Sequence, residues 1–228
     1  MKRVLAFLLA AALLFAFCGC GTKDDPDTTD TTVPEQSATA RPTPVDILHT
    51  LDSDRIYQIN SFLSTFSEQS LRTYPCSDND LIQFGYHYAL VRHYQVLGME
   101  GEEFYMSRKS MDAIINRFFG TTAPVPADSN QMRYADETYY FPITQGKIYA
   151  FCSVATTMYD NGDGTYSVDF VVFGATNPAT DMTPYYSMNR EQIAQQSELT
   201  YQYTGRAVVR NFTRADGVES YQLISYNR

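Results

Sequence analysis

Three histidines, His49, His87 and His93, are the residues of this sequence best suited to proton transfer or metal binding near neutral pH. His87 and His93 do not share a helical face, as two metal ligands four residues apart would. His93 lies near an apolar stripe and is expected to be a hydrogen-bonded packing residue, whereas His87 falls on the more polar side. No His-Glu-x-x-His or Gly-x-Ser-x-Gly pattern occurs. The sequence therefore assigns no catalytic residue, no metal ligand and no cofactor.

Two acidic segments could also support chemistry, and each has a simpler structural explanation. Glu100, Glu102 and Glu103 are typical of a solvated run of charges. The alternative is a glycosidase site, which would need two of these carboxylates at a fixed separation. The run Asp160-Asn161-Gly162-Asp163-Gly164 contains calcium-type ligands, but Gly162 occupies a ligand position of the EF-hand spacing and no Glu closes the loop. A hairpin turn explains that run better.

The first residues of the chain have the pattern of an export signal. Lys2 and Arg3 precede a continuous apolar run, Val4 to Phe17, which is shorter than the roughly 20 residues that span a bilayer. A run of this length is typical of the hydrophobic region of a secretory signal peptide.

The segment Phe17-Cys18-Gly19-Cys20 resembles the lipobox of bacterial lipoproteins, in which a small residue precedes a cysteine that is acylated. Gly19 makes Cys20 the better match, while Phe17 stands where the family favours Leu. The resemblance implies a signal peptide over residues 1–19, a lipid of palmitate type on Cys20, and anchoring to the extracytoplasmic face of a Gram-positive cell membrane. The alternative is an ordinary cleaved signal with two incidental thiols.

Residues 20–46 are rich in Thr, Pro and acidic residues and nearly lack apolar side chains. Such a segment cannot bury enough surface to offset the entropy lost on ordering, and Pro and charge keep the chain extended. We therefore expect a disordered tether that holds a single folded domain, residues 47–228, away from the membrane.

Cys76 and Cys152 are the two thiols within that domain. An extracytoplasmic compartment permits a disulfide between them, and the entropy of closing so long a ring corresponds to about 4–5 kcal/mol. Cys152 also alternates with apolar neighbours, as a buried core thiol would. The sequence leaves open both a Cys76–Cys152 disulfide and two free thiols.

Three amphipathic helices are predicted at the start of the domain, after the candidate caps Asp52 or Ser53, Ser77 and Ser107. A strand over Tyr57 to Phe62 is an alternative for the first of them. We expect the second helix to end at Gly98 and the third at Gly120, and we expect Gly85 to allow another element to approach closely. The apolar faces comprise Ile56, Ile59, Phe62, Leu63 and Phe66; Ile82, Gly85, Ala89, His93 and Val96; and Met111, Ile114, Ile115, Phe118 and Phe119.

Beyond Glu137 the apolar period changes from the helical one to two, which indicates strands. The sequence predicts a short strand over Thr138 to Phe141 and a short helix over Arg190 to Gln196. It also predicts two hairpins. In the first, one face of the outgoing strand carries Ile148, Ala150, Cys152, Val154, Thr156 and Met158, and the returning strand has Tyr166, Val168, Phe170 and Val172 at alternate positions. The second hairpin runs from Leu199 to Thr213 and from Val218 to Tyr226. This order predicts an α+β domain with about three helices on one face of a curved antiparallel sheet of four or five strands. Cystatin-like and NTF2-like architectures share that order of parts.

A set of motifs together resembles a family of uncharacterised lipoproteins from Gram-positive, gut-type bacteria. The motifs are Ile59-Asn60-x-Phe62-Leu63-Ser64-x-Phe66-Ser67-Glu68, Arg117-Phe118-Phe119-Gly120, Tyr139-Tyr140-Phe141-Pro142, the turn from Tyr159 to Tyr166, and Tyr221-Gln222-Leu223-Ile224-Ser225-Tyr226. The resemblance covers nearly the whole domain. It implies export and anchoring and supplies no catalytic residue.

The net charge and the tyrosine content of the chain indicate which classes of binding partner to expect. A net charge of −9 argues against nucleic acid, because a polyanion needs a basic surface. Tyrosines concentrate around the first hairpin and recur later, where they can line a ligand cleft or cover the rim of a sheet: Tyr134, Tyr139, Tyr140, Tyr149, Tyr159, Tyr166, Tyr185, Tyr186, Tyr201 and Tyr203. We expect a non-enzymatic, membrane-anchored lipoprotein that binds a small ligand or an envelope protein. The alternatives are an extracellular hydrolase that uses carboxylates and His87, and a structural subunit of a membrane assembly.

Overall fold

The computed structural model describes residues 44–69, 71–126, 129, 131–143, 150–214 and 216–228. The predicted signal peptide, the lipidation site Cys20 and nearly all of the predicted tether lie outside these residues. Within the described ranges, no helix is both long enough and apolar enough to cross a membrane.

The first helix, α1 (Ser53–Glu68), begins where the sequence predicts. The side chain of Asp52 accepts a hydrogen bond of 2.8 Å from the backbone N–H of Arg55, which satisfies a donor that the helix cannot pair internally. Ile59, Leu63 and Phe66 are fully buried on one face. The helical prediction for this segment is therefore confirmed.

The second helix, α2 (Asp78–Arg92), starts at the predicted cap Ser77 but ends earlier than Gly98. His93 leaves helical geometry at φ −141° and ψ 44°, and Gly98 instead opens a strand. A Cβ at Gly85 would overlap the sulfur of Met111, so glycine is needed for the helix that carries Met111 to pack this closely. The predicted close approach at Gly85 is confirmed.

The third helix, α3 (Arg108–Phe119), follows its sequence pattern throughout. Ser107 caps its first turn, and Gly120 ends it in the left-handed region at φ 67°. Its buried residues are Met111, Ile114, Ile115, Phe118 and Phe119, which is the predicted set. Local pattern and tertiary packing agree here.

The strands of the described chain form two antiparallel sheets where the sequence predicts one. A six-stranded sheet has the order β1-β7-β8-β9-β10-β2, and a four-stranded sheet has the order β3-β4-β6-β5. The strands are β1 (Val45–Asp46), β2 (Thr73–Tyr74), β3 (Gly98–Glu100), β4 (Glu103–Ser107), β5 (Arg133–Ala135), β6 (Thr138–Pro142), β7 (Phe151–Asp160), β8 (Thr165–Ala175), β9 (Leu199–Thr213) and β10 (Glu219–Asn227). The α+β class and the packing of helices on a sheet are confirmed. The second sheet was missed because several of its strands are too short to show an alternating pattern.

The short elements at the domain's edges refine the predicted boundaries. Val45 and Asp46, which the sequence analysis places at the end of the tether, pair with Asp160 and Tyr159 of β7. The predicted helix over Arg190 to Gln196 is the single turn α4 (Arg190–Ile193), capped by Asn189.

A bulge divides the apolar face predicted for β7. The register between β7 and β8 shifts between Ala155 and Thr157, so side chains beyond the bulge change faces. Met158 therefore packs in the main core under the helices, while Cys152 and Val154 pack in a second cluster on the opposite face. The prediction that all three share one face is wrong for this reason, and Ile148 of the same predicted set lies outside the described residues.

Two polar side chains of α1, Asn60 and Ser64, cover the edge of β7 by hydrogen bonding to its backbone. The Oδ1 atom of Asn60 accepts the N–H of Ala155 at 2.8 Å, and the Oγ atom of Ser64 accepts the N–H of Ser153 at 2.8 Å. Beyond the bulge, the Oδ1 atom of Asp46 accepts the N–H of Met158 at 3.0 Å. Side chains of the helix and of the preceding strand β1 thus accept hydrogen bonds from backbone N–H groups of β7 that would otherwise be unpaired at the edge of the sheet.

Replacing Asn60 by Leu should destabilise the domain by about 2–4 kcal/mol, because the buried N–H of Ala155 and C=O of Tyr186 would both lose their partner. Urea unfolding of the two proteins measures the difference. Asn79→Leu, at an exposed position in the first turn of α2, is the matched control and should change stability by less than about 1 kcal/mol. An equal loss in both variants would contradict the role given to Asn60.

Candidate functional site

A polar cleft of about 410 Å³ lies between α2 and the segment that precedes it. Its floor includes Leu71 and Phe84, which are nearly completely buried. The side chains that could contact a ligand are Gln69, Arg72, Cys76, Asp80, Gln83 and His87. The cleft therefore combines a cation, an anion, two amides, a thiol and an imidazole.

One wall of the cleft is a face of α2. Asp80, Gln83 and His87 are spaced three and four residues apart, which places them on one side of the helix over two turns, or roughly 10 Å. Ser77 fixes where this helix starts, because its Oγ accepts the N–H of Asp80 and donates a hydrogen bond of 2.7 Å to the Asp80 carboxylate. The helix cap thus also orients the first acidic group of the wall.

The other wall is the chain between α1 and α2. It is attached to the large sheet by β2, where Thr73 and Tyr74 pair with Asn227 and Tyr226, and by the N–H of Arg228, which donates to the carbonyl of Arg72 at 3.2 Å. A cis peptide bond joins Tyr74 to Pro75. The segment is therefore held by the sheet rather than by the helix that it faces.

The unusual feature of the cleft is the side-chain amide of Gln69, which is buried without a partner for its N–H donor. The residue follows the last turn of α1 and is only 7% exposed, and its Nε2 atom has no hydrogen-bond partner among the described residues. A buried amide donor without a partner costs about 1–3 kcal/mol. The Nε2 atom is closed to solvent, so a ligand oxygen would accept this hydrogen bond, and remove the cost, once the amide turns toward the cleft.

Burial sets the charge states of two other groups in the cleft. It lowers the pKa of His87, so the imidazole is neutral at pH 7. Burial, together with the negative charges of Asp80 and Asp78, raises the pKa of the Cys76 thiol to about 11. Cys76 therefore stays protonated at neutral pH.

Cys76, His87 and Asp80 are the residue types of a cysteine hydrolase, but their arrangement differs from one. An activated nucleophile has a depressed thiol pKa and a base within hydrogen-bond reach. The pKa of Cys76 is shifted in the opposite direction, and no hydrogen bond joins it to His87 within the described structure. In the same ranges, no three His, Cys, Asp or Glu side chains are grouped so as to hold a metal ion. The raised pKa of Cys76 and its lack of a hydrogen bond to His87 in the described part of the chain differ from an activated cysteine nucleophile.

The structure separates the histidines. His49 is exposed in a short turn near the start of the described chain. His93 lies in a second, mainly apolar groove of about 520 Å³ beside Lys109, Ile114 and Arg117, where its Nδ1 atom is 3.0 Å from Gln95 Nε2. Burial and the charges of Arg117 and Arg214 lower the pKa of His93. The prediction that His93 packs as a hydrogen-bonded residue agrees with this position.

The acidic segments have structural roles. Glu103 forms an ion pair of 2.7 Å with Arg133 across the small sheet. In the β7–β8 turn, Asp160 accepts the N–H of Gly162, and Asp163 accepts both the N–H and the hydroxyl of Thr165. These bonds are those of the predicted hairpin turn.

The tyrosines do not gather around the polar cleft. Tyr139 and Tyr186 are buried in different clusters, and Tyr201 is 59% exposed on β9. The rings of Tyr134 and Tyr139 contact each other within the small sheet at a tilt of 57°, with centroids 4.8 Å apart, while Tyr149 lies outside the described residues. The two sheets distribute these rings, so no shared cleft results from their abundance.

The two domain thiols are both free in this structure. Cys76 packs at the border of the main core, whereas Cys152 is completely buried in the second cluster. Burial raises the pKa of Cys152 to about 12.

Gln69 and Arg72, which complete the cleft, were not identified from the sequence. Neither belongs to a motif, and the lack of a partner for Gln69 depends on neighbours that only the folded chain supplies. The nearest signal in the sequence is His87, a polar helix position that does line the cleft.

Comparison of the chain with protein family models, with curated proteins and with solved structures finds no match. Function is therefore inferred from the chemistry of the cleft.

Cys76 should react slowly with iodoacetamide near neutral pH. With a pKa of about 11 instead of the ordinary thiol value of 9.0, the thiolate fraction is roughly 100-fold lower. Residue-specific mass spectrometry of the labelled chain should show a rate that rises about tenfold per pH unit from pH 7 to pH 10. The same residue in urea is the control, and equal rates in folded and unfolded chain would contradict the assigned environment.

Proposed function

We propose that this chain is a lipid-anchored, extracytoplasmic protein whose folded domain binds a small polar ligand in the cleft beside α2. The observation that carries this proposal is the buried Nε2 atom of Gln69, which has no partner in the described structure and belongs to a residue that lines the cleft. The large majority of buried side-chain polar atoms in proteins have a hydrogen-bond partner, so a donor without one marks a place where a partner can bind. Arg72, Asp80 and His87 supply further polar contacts in the same place.

The anchor follows from the amino-terminal pattern. Acylation of Cys20 would attach the mature chain to the outer face of a membrane, and the tether of residues 20–46 would hold the domain above it. A fold similar to the cystatin-like or NTF2-like architecture, with helices packed over a curved sheet, would suit a domain whose role is binding. The membrane, through the lipid, and the ligand are the two partners of this proposal.

The hydrolase alternative has one supporting observation, since a neutral His87 and Asp80 line one cleft. Binding is favoured because the only thiol in the cleft is protonated and because Gln69 is placed as a donor, which contributes to recognition without any reaction.

Substitution of Gln69 by Leu should have opposite effects on the stability of the domain and on its ability to bind a ligand. Without ligand, the variant should be more stable than the parent by about 1 kcal/mol, because a buried unpaired amide is removed. With ligand, its melting temperature should not rise.

The measurement is a thermal shift of the full chain in detergent with Ala-Ala, N-acetylglucosamine, glucose and AMP as probes. At least one probe should raise the melting temperature of the parent chain and of the matched control Gln195→Leu, an exposed position, but not of Gln69→Leu. A response that persists in Gln69→Leu, or no response of the parent to any probe, would reject the cleft as the binding site.

The anchor has its own test. The intact mass of the chain extracted from membranes should equal that of residues 20–228 plus a diacylglyceryl group, and Cys20→Ala should remain unprocessed. Cys18→Ala is the matched control and should be processed normally. A mature chain without a lipid adduct would contradict the anchor while leaving the cleft unaffected.

A further inference from the structure

The two walls of the cleft differ in hydrogen-bonding character, and this difference points to a class of ligand. The segment wall presents donors, namely the Gln69 amide and the Arg72 guanidinium. The α2 wall presents the Asp80 carboxylate and the neutral imidazole of His87, which keeps one acceptor nitrogen. A ligand between them meets a positive group on one side and a negative group on the other.

Arg72 and Asp80 are not neutralised by each other or by any other charged side chain. Neither takes part in an ion pair of the described structure, and the only side-chain hydrogen bond of Asp80 within the same ranges is to the Ser77 hydroxyl. Asp78 adds a second negative charge at the same end of α2. Both charges of the cleft are therefore available to a ligand.

We propose that the cleft binds a short peptide through its free ends, with the carboxylate at Arg72 and Gln69 and the ammonium group at Asp80. A guanidinium matches a carboxylate because its donors form paired hydrogen bonds with both oxygens. The Gln69 amide then gains the acceptor that it lacks in the described structure. The volume of about 410 Å³ lies within the range of small-molecule sites and suits a peptide of two or three residues.

The buried surfaces of the cleft agree with this class of ligand. Leu71 and Phe84 form an apolar floor but are only 5% and 2% exposed, so they offer no broad aromatic face on which a sugar ring could stack. Recognition must then come mainly from the polar groups at the walls. This inference rests on the proposed function, since it names the ligand of the same cleft.

The test compares Ala-Ala with two peptides in which one charged end is blocked. In titration calorimetry of the full chain, N-acetyl-Ala-Ala and Ala-Ala-amide should each bind at least tenfold more weakly than Ala-Ala, because each loses a hydrogen bond to a charged group. In Arg72→Gln, Ala-Ala and Ala-Ala-amide should bind equally. In Asp80→Asn, Ala-Ala and N-acetyl-Ala-Ala should bind equally.

Two matched variants control for a general change of charge. Arg190→Gln and Asp54→Asn remove exposed charges at the starts of other helices and should preserve both preferences. Unchanged urea midpoints would show that each variant is folded. Equal binding of free and blocked peptides by the parent chain, or preferences that survive in Arg72→Gln and Asp80→Asn, would overturn the proposal.

The outcome also separates this inference from the proposed function. If glucose, N-acetylglucosamine or AMP binds in the cleft and Ala-Ala does not, the peptide proposal is wrong and the binding function stands. If no probe of any class binds, both are wrong.

Discussion

The hydrogen bonds between α1 and the edge of β7 are the constraint on which the other features of this domain depend. A strand edge with unpaired N–H groups must be covered or must face water. Here two polar side chains of an amphipathic helix cover it, since Asn60 and Ser64 accept hydrogen bonds from the N–H groups of Ala155 and Ser153. Asn60 also donates to the carbonyl of Tyr186 at 2.9 Å, so a single amide joins α1, the large sheet and the short helical turn Thr183–Ser187.

This contact fixes the position of the cleft. Once α1 is held along the strand, its last turn places Glu68 and Gln69 beside the start of the next segment. Arg92 donates to the Glu68 carboxylate at 2.6 Å, and Tyr186 donates to the same oxygen at 3.3 Å, which ties the end of α2 to the end of α1. Burial nevertheless raises the pKa of Glu68, because desolvation outweighs these partners. The two helix ends thus meet at a polar junction inside the fold.

The same burial that holds the walls together determines the chemistry of the cleft. It keeps Cys76 protonated and His87 neutral, so neither side chain carries charge at pH 7. The charges of the cleft come instead from Arg72 and Asp80, which remain near its mouth. Uncharged hydrogen-bonding groups beside two opposite charges are suited to recognising a dipolar molecule.

The sequence by itself determined the local elements of this protein. The caps Asp52, Ser77 and Ser107, the apolar face of α3 and both long hairpins follow from contacts between residues a few positions apart, which a linear pattern records. Tertiary structure decided the second sheet, the bulge that sends Cys152 and Met158 to opposite faces, and the cleft itself. The lack of a partner for Gln69 is the clearest case, because an unpaired donor is defined by which distant groups surround it, and no spacing along the chain specifies them.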